Sequence, residues 1–151
     1  MDERLYYLLT RAQRRLTDRA QAGLADLGVT PTQAGALFVI HPVQGATIGG
    51  LAQALDLAQS AASGLAQRLE RLGLVQRSVD LPDARKSLLN LTPQGHAIRA
   101  RAVQRTQAFN SALARDLDPA DLAIILSWLN YLAYDFEEGQ FHDRTRHRAP
   151  N

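Results

Sequence analysis

Residues 59–72 carry side chains that can read a nucleobase edge. Gln59, Ser60, Ser63 and Gln67 recur at helical steps, with Ala61 and Gly64 beside them and Arg71 one turn further. A glutamine amide can pair with adenine, a serine hydroxyl can reach a base or a phosphate, and an alanine methyl can meet the thymine methyl. The same residues would also suit a small, solvated helix face that contacts nothing. Other chemistries find no support. The chain has no cysteine, which removes disulfides, thiolate metal sites, cysteine nucleophiles and thiol redox sensing. His41, His96, His142 and His147 show no ligand spacing within one helix, so no metal site is expected. No nucleophile–base pair, carboxylate pair or phosphate loop is present, and an enzyme is not expected.

The elements that must position residues 59–72 follow from periodicity. Leu5, Leu8, Leu9, Ala12, Leu16, Ala20 and Leu24 predict a helix over 3–26, with Gly28 as its stop. Thr30, Pro31 and Gln33 form a capping box in front of a short apolar helix that ends at His41-Pro42. Thr47 can cap the first of two closely spaced helices, which runs to Leu55, and Asp56-Leu57-Ala58 makes the turn between them. The second helix spans 59–72, with Ala62, Leu65, Ala66, Leu69 and Leu72 facing inward, and stops at Gly73. Residues 74–79 and 85–91 alternate like strands around Asp80-Leu81-Pro82-Asp83 and predict a β-hairpin. Thr92-Pro93 opens a helix to Asp116, and Asp118-Pro119 opens the last one, to Glu138. The tail 139–151 is polar and expected to be disordered. Helix, tight turn, helix, hairpin is a winged helix-turn-helix. The expected fold class is therefore mainly α with a small β-hairpin wing.

The segment Asp83-Ala84-Arg85-Lys86-Ser87-Leu88-Leu89-Asn90-Leu91-Thr92 resembles the signature of the MarR family of transcriptional regulators. Upstream, Leu69-Glu70-Arg71-Leu72-Gly73-Leu74-Val75-Gln76-Arg77 is similar to that family's recognition-helix end and wing start, and Thr92-Pro93-Gln94-Gly95 to its entry into the fifth helix. The resemblance implies one domain over 1–151: a winged helix-turn-helix over 30–92 and dimerisation helices over 3–26 and 93–138. It implies double-stranded DNA as partner, a homodimer, and a ligand-responsive repressor on a pseudo-palindromic operator. Besides the recognition-helix residues above, it assigns Asp83, Arg85 and Lys86 of the wing, with Thr47 in support, to the DNA-contacting set. Asp83 can hold Arg85 at the hairpin tip, where Arg85 can enter a narrow, negative minor groove. Leu5, Leu9, Leu113, Leu117, Leu122, Ile125, Trp128, Leu129 and Leu132 are the expected dimer residues, because the last helix is apolar on more sides than one winged domain can cover. The family also implies a small aromatic or phenolic effector in a crevice that Tyr7, Arg11 and His41 could line; no cofactor is expected. The sequence departs from the family pattern at Ala58, Gly64 and Gln67, where a cap, an arginine and an acidic residue often stand. These departures weaken the expected hold on DNA.

Charge is neutral on the question. The net charge is +2, and residues 30–92 hold 5 basic against 4 acidic residues, with Lys86 the only lysine of the chain. This weak balance leaves a rival reading open, a winged-helix protein–protein adaptor with weak or no DNA binding. No apolar run approaches the ~18 residues of a membrane span, and Met1-Asp2-Glu3-Arg4 does not open a signal peptide; the expected location is cytoplasmic.

Overall fold

The computed structural model describes the backbone of residues 4–80 and 83–136, and the side chains of 4–78 and 88–136. The expected tail, residues 137–138 of the expected last helix, the hairpin turn Leu81-Pro82 and the side chains of Asp83, Arg85 and Lys86 lie outside the described residues. The chain divides after Asn110 into two compact units.

The first unit begins with α1 (Leu5–Leu24), followed by one 3-10 turn at Ala25–Leu27. At its C-terminal end the helix stops two residues earlier than its periodicity suggests, because Ala25–Leu27 tighten into the turn that ends on left-handed Gly28. Next come α2 (Pro31–Val39), β1 (Ala46–Thr47), α3 (Ile48–Ala54), α4 (Gln59–Arg71), β2 (Val75–Asp80), β3 (Asp83–Leu91) and α5 (Pro93–Ala114), of which the residues up to Asn110 belong to this unit. The caps are those the sequence announces. The Thr30 hydroxyl accepts from the Gln33 N–H at 3.2 Å, while the Gln33 side chain accepts from the Thr30 N–H at 2.8 Å. Thr47 Oγ1 accepts from the Gly50 N–H at 3.0 Å and starts α3 despite the two glycines of its first turn. Asp56 takes the left-handed conformation (φ 51°) between α3 and α4, which an aspartate tolerates better than most residues.

The sheet has the order β1-β3-β2, all antiparallel. Two-residue β1 was not foreseen: Ala46 pairs with Leu89 and Thr47 with Leu88, tying the start of α3 to the wing. Gly45 makes this approach feasible. A Cβ there would stand 2.6 Å from the Leu89 carbonyl oxygen, and its φ is +69°. The β2–β3 register is regular from Val75↔Leu91 to Val79↔Ser87 and then jumps to Asp80↔Asp83, so Ala84, Arg85 and Lys86 fall in the irregular end of the wing.

The core lies in this unit. Leu37 and Ile40 from the α2 end, Leu51 from α3, Leu65 and Leu69 from α4, and Leu89 from β3 are all fully buried. The inward face of α4 is as expected, with Ala62, Leu65, Ala66 and Leu69 buried; Leu72 is the exception, 43% exposed at the helix cap.

The second unit holds α6 (Pro119–Asn130), which continues into one wide π turn at Tyr131–Asp135, where the sequence predicts further α-helix. Asp118 Oδ1 caps it by accepting from the Ala120 N–H at 2.8 Å. None of the residues of α6 is buried. No helix among the described residues is long and apolar enough to cross a membrane.

Candidate functional site

The face of α4 opposite the core is open. Gln59, Ser60, Ala61, Gln67 and Arg71 are exposed, and Ser63 and Gly64 are half-buried. Ala58 enters the helix with extended backbone and offers no side-chain cap, so the first-turn N–H groups remain available to an external acceptor. Gly64 does not leave this face without positive charge. The Arg68 guanidinium folds back along the helix, with Nη1 3.6 Å from where a Gly64 Cβ would stand. Arg68 was not singled out from sequence; its (i, i+4) spacing from Gly64 was the available signal.

The wing is fastened to α4 and α5 at two points. Glu70, near the C-terminus of α4, accepts from Arg77 Nε on β2 at 3.0 and 3.1 Å. Sequence reasoning missed this pair, because Glu70 and Arg77 lie seven positions apart on different elements. At the wing base, Thr92 Oγ1 donates to the Gly73 carbonyl at 2.6 Å and accepts from the Gly95 N–H at 3.0 Å, while the Thr92 N–H reaches the Leu74 carbonyl at 3.1 Å. Thr92 thus caps α5 as its sequence position suggests. Thr47 is committed to capping α3.

A cavity of about 200 Å³ opens between α1, α2 and α5 within the first unit. Arg19, Ala20, Gly23 and Leu24 come from α1; Pro31, Ala34, Gly35 and Phe38 from α2; Arg105, Thr106 and Phe109 from α5. Its wall is apolar apart from the two arginines and one hydroxyl. Tyr7, Arg11 and His41 do not line it. Tyr7 and Arg11 lie on exposed α1 nearer the N-terminus. The His41 ring is spent locally: its Nδ1 accepts from the Val43 and Gln44 N–H groups at 3.2 and 3.0 Å, ordering the turn before β1. Among the described residues no cluster of His, Asp or Glu could hold a metal ion.

None of the nine expected dimer residues is buried: Leu9, Leu122 and Leu132 are half-buried, and Leu5, Leu113, Leu117, Ile125, Trp128 and Leu129 are exposed. Ile124, Leu126, Tyr6 and Leu8 add further exposed apolar surface.

A family profile described as MarR family matches residues 27–86, the stretch from the end of the 3-10 turn to the irregular end of the wing. This matched segment is the part of the chain that carries the MarR-family likeness. A protein named for regulation of the hcr operon in Thauera aromatica is 30% identical over 105 residues, which cover 70% of this chain. The matched stretch spans 63% of that relative's length. Among solved structures, the transcriptional repressor CouR bound to a 23-mer DNA duplex superposes with a TM-score of 0.76 at 28% identity, over 85% of this chain and 92% of CouR. BpsR of Bordetella bronchiseptica, whose DNA binding is regulated by 6-hydroxynicotinic acid, gives 0.77 at 25% identity, over 89% of this chain and 96% of BpsR. The MarR-family fold accounts for the order of elements and for the placement of α4 between α3 and the wing.

Proposed function

We propose that this chain is a sequence-specific DNA-binding transcriptional regulator of the MarR family, a homodimeric repressor released by a small aromatic or phenolic acid. The observation that carries the reading is the open polar face of α4, presented by a buried opposite face and flanked by a wing braced to it through Glu70–Arg77. A helix of this kind enters the major groove with its N-terminal turns deepest. Gln59, Ser60 and Ser63 then read bases, while Gln67, Arg68 and Arg71 lie nearer the backbone. The wing, through Arg85 and Lys86 with Asp83 in support, reaches the adjoining minor groove. The structure in which CouR holds a DNA duplex supports this use of the fold.

The dimer follows from apolar area. Exposed Ile124, Leu126, Trp128 and Leu129 on α6, and Leu5 and Leu8 on α1, form surface of the kind that obligate interfaces cover. A twofold dimer sets two α4 helices one DNA turn apart, ~34 Å, and so selects an inverted repeat.

The effector site is the cavity between α1, α2 and α5. At about 200 Å³ it is smaller than the ~300 Å³ at which sites for drug-sized ligands begin, which suits a one-ring compound. Leu24, Phe38 and Phe109 supply apolar wall for the ring, and Arg19 and Arg105 supply cations for an acid group. Thiol oxidation cannot be the signal in a chain without cysteine.

Selection of duplexes from a random pool by the purified protein, followed by a salt titration on the selected site, tests the reading. An inverted repeat is expected, with log affinity falling linearly with log salt by ~0.9 for each phosphate neutralised. Replacing Gln59 by alanine should relax preference at one base pair in each half-site, at about 1–3 kcal/mol. No enrichment and no salt slope would put the protein–protein adaptor in its place.

A further inference from the structure

Arg105, a cation of the cavity wall, is already engaged by the protein's own carboxylate. Its Nη2 donates to Asp26 Oδ2 at 2.9 Å, and its Nη1 donates to the Gly23 carbonyl at 3.4 Å. Arg101, one helical turn earlier on α5, donates from Nη2 to the same Asp26 Oδ2 at 3.3 Å. Two guanidinium groups thus share one carboxylate oxygen. Arg19, the other cation of the cavity wall, has no hydrogen-bond or ion-pair partner among the described residues. The Asp26, Arg101 and Arg105 side chains are each about half exposed, at 49%, 54% and 50%. Pairs in that setting are screened by water and weakly held, so they can be exchanged.

We infer that Asp26 is an internal competitor for the effector: a one-ring carboxylate entering the cavity takes Arg105 from Asp26, and Arg101 keeps Asp26 paired. The inference rests on the effector reading above. The incoming carboxylate lies against Arg19 and Arg105, with its ring against Leu24, Phe38 and Phe109. A ligand of the same shape without charge gains the apolar contacts and leaves the Asp26–Arg105 pair intact. Arg101 is what makes the exchange tolerable. A carboxylate that lost its only cation would oppose the ligand's negative charge, whereas Asp26 retains one partner.

The location of Asp26 gives the exchange a mechanical meaning. It sits in the 3-10 turn joining α1 to Gly28 and the Thr30 cap of α2. Arg101 and Arg105 tie that turn to α5, and Arg99 Nε ties α5 to the α2 C-terminus through the Leu37 carbonyl at 3.0 Å. Removing Arg105 from the turn therefore releases one of the ties by which α5 holds the α1–α2 connection. A charged ligand releases this tie and a neutral one does not.

Calorimetric titration with 4-hydroxybenzoate and its neutral amide, 4-hydroxybenzamide, tests the exchange. In the wild type the carboxylate should bind more tightly than the amide. Asp26→Asn should tighten carboxylate binding by about two- to fivefold, the strength of an exposed pair, and leave amide binding unchanged. Arg101→Gln should act in the opposite direction, weakening the carboxylate, because Asp26 then has no cation to keep when Arg105 leaves. This second variant reads the same exchange if Asp26→Asn does not fold. Arg105→Gln should abolish the preference for carboxylate over amide. If Arg105→Gln does so while neither Asp26→Asn nor Arg101→Gln changes carboxylate affinity in these directions, the exchange is overturned and the effector cavity stands. If Arg105→Gln has no effect, or if 4-hydroxybenzoate shows no saturable binding at millimolar concentration, both are overturned.

Discussion

Replacing Gly95 by alanine should loosen the wing from the domain. Gly95 is the third residue of α5, and a Cβ at this position would collide with the Leu74 carbonyl at the start of the wing. That carbonyl also accepts the Thr92 N–H, and Thr92 in turn joins Gly73 to Gly95 through its hydroxyl. Relieving the collision requires moving α5 or the wing base, since both partners are backbone. Overpacking of this kind costs about 1–3 kcal/mol, and a stretched Thr92–Leu74 bond adds about 1 kcal/mol. Alanine returns about 0.5–1 kcal/mol by restricting the unfolded chain. The net expectation is a loss of about 1–3 kcal/mol, read by urea denaturation at fixed protein concentration. In a chain of this length that corresponds to a fall in melting temperature of roughly 2–12 °C. Gly23→Ala is the internal control. A Cβ at Gly23 meets nothing within 4 Å, so the same exchange inside α1 should be neutral or slightly stabilising. Equal stability of the Gly95 variant and the wild type would refute the reasoning, because it would mean that the wing base moves without cost.

A double-mutant cycle on Glu70→Gln and Arg77→Gln should give a coupling of about 0.2–1 kcal/mol that shrinks as salt is raised, since both groups are partly solvated; zero coupling at low salt would show that the pair does not brace the wing. Arg68→Ala should weaken binding to all DNA sequences alike and lower the salt slope by about 1 if its guanidinium meets one phosphate. An unchanged slope in filter or fluorescence titrations would remove Arg68 from the interface. Glutamate at both Ile125 and Leu129 should give a monomer in sedimentation analysis; a variant that still dimerises at the wild-type concentration would move the interface away from α6.

Local chemistry was the readable part of this chain. Thr30 with Gln33, Thr47, Thr92 and Asp118 each cap the helix that their sequence position announces, because a cap depends on residues within three positions of it. The two faces of α4 were readable for the same reason, since burial follows the helical period. What periodicity could not report was which elements meet. Two-residue β1 is too short to alternate and exists only because Leu88 and Leu89 pass beside it. Arg105 meets Asp26 from 79 positions away, and nothing in either neighbourhood points to the other. The cavity was expected from resemblance, but its lining depends on three helices together. Tyr7, Arg11 and His41 were plausible by residue type, yet His41 satisfies two backbone N–H groups of its own turn. The last helix was expected to remain α-helical past Asn130 because its apolar residues continue, but the π turn takes over at Tyr131.

The position of the buried core also determines which amides exchange their hydrogens slowly. The buried apolar side chains of the described residues run from Leu24 to Ala102, and none comes from the chain beyond Asn110. Backbone protection at α6 therefore depends on what covers it, while protection at Leu37, Leu65 and Leu69 depends on global unfolding. Diluting the protein should accelerate deuterium uptake over residues 119–130 well before it changes uptake over α2 and α4. The concentration at which the two regions part company measures association without any label, from the wild-type chain alone.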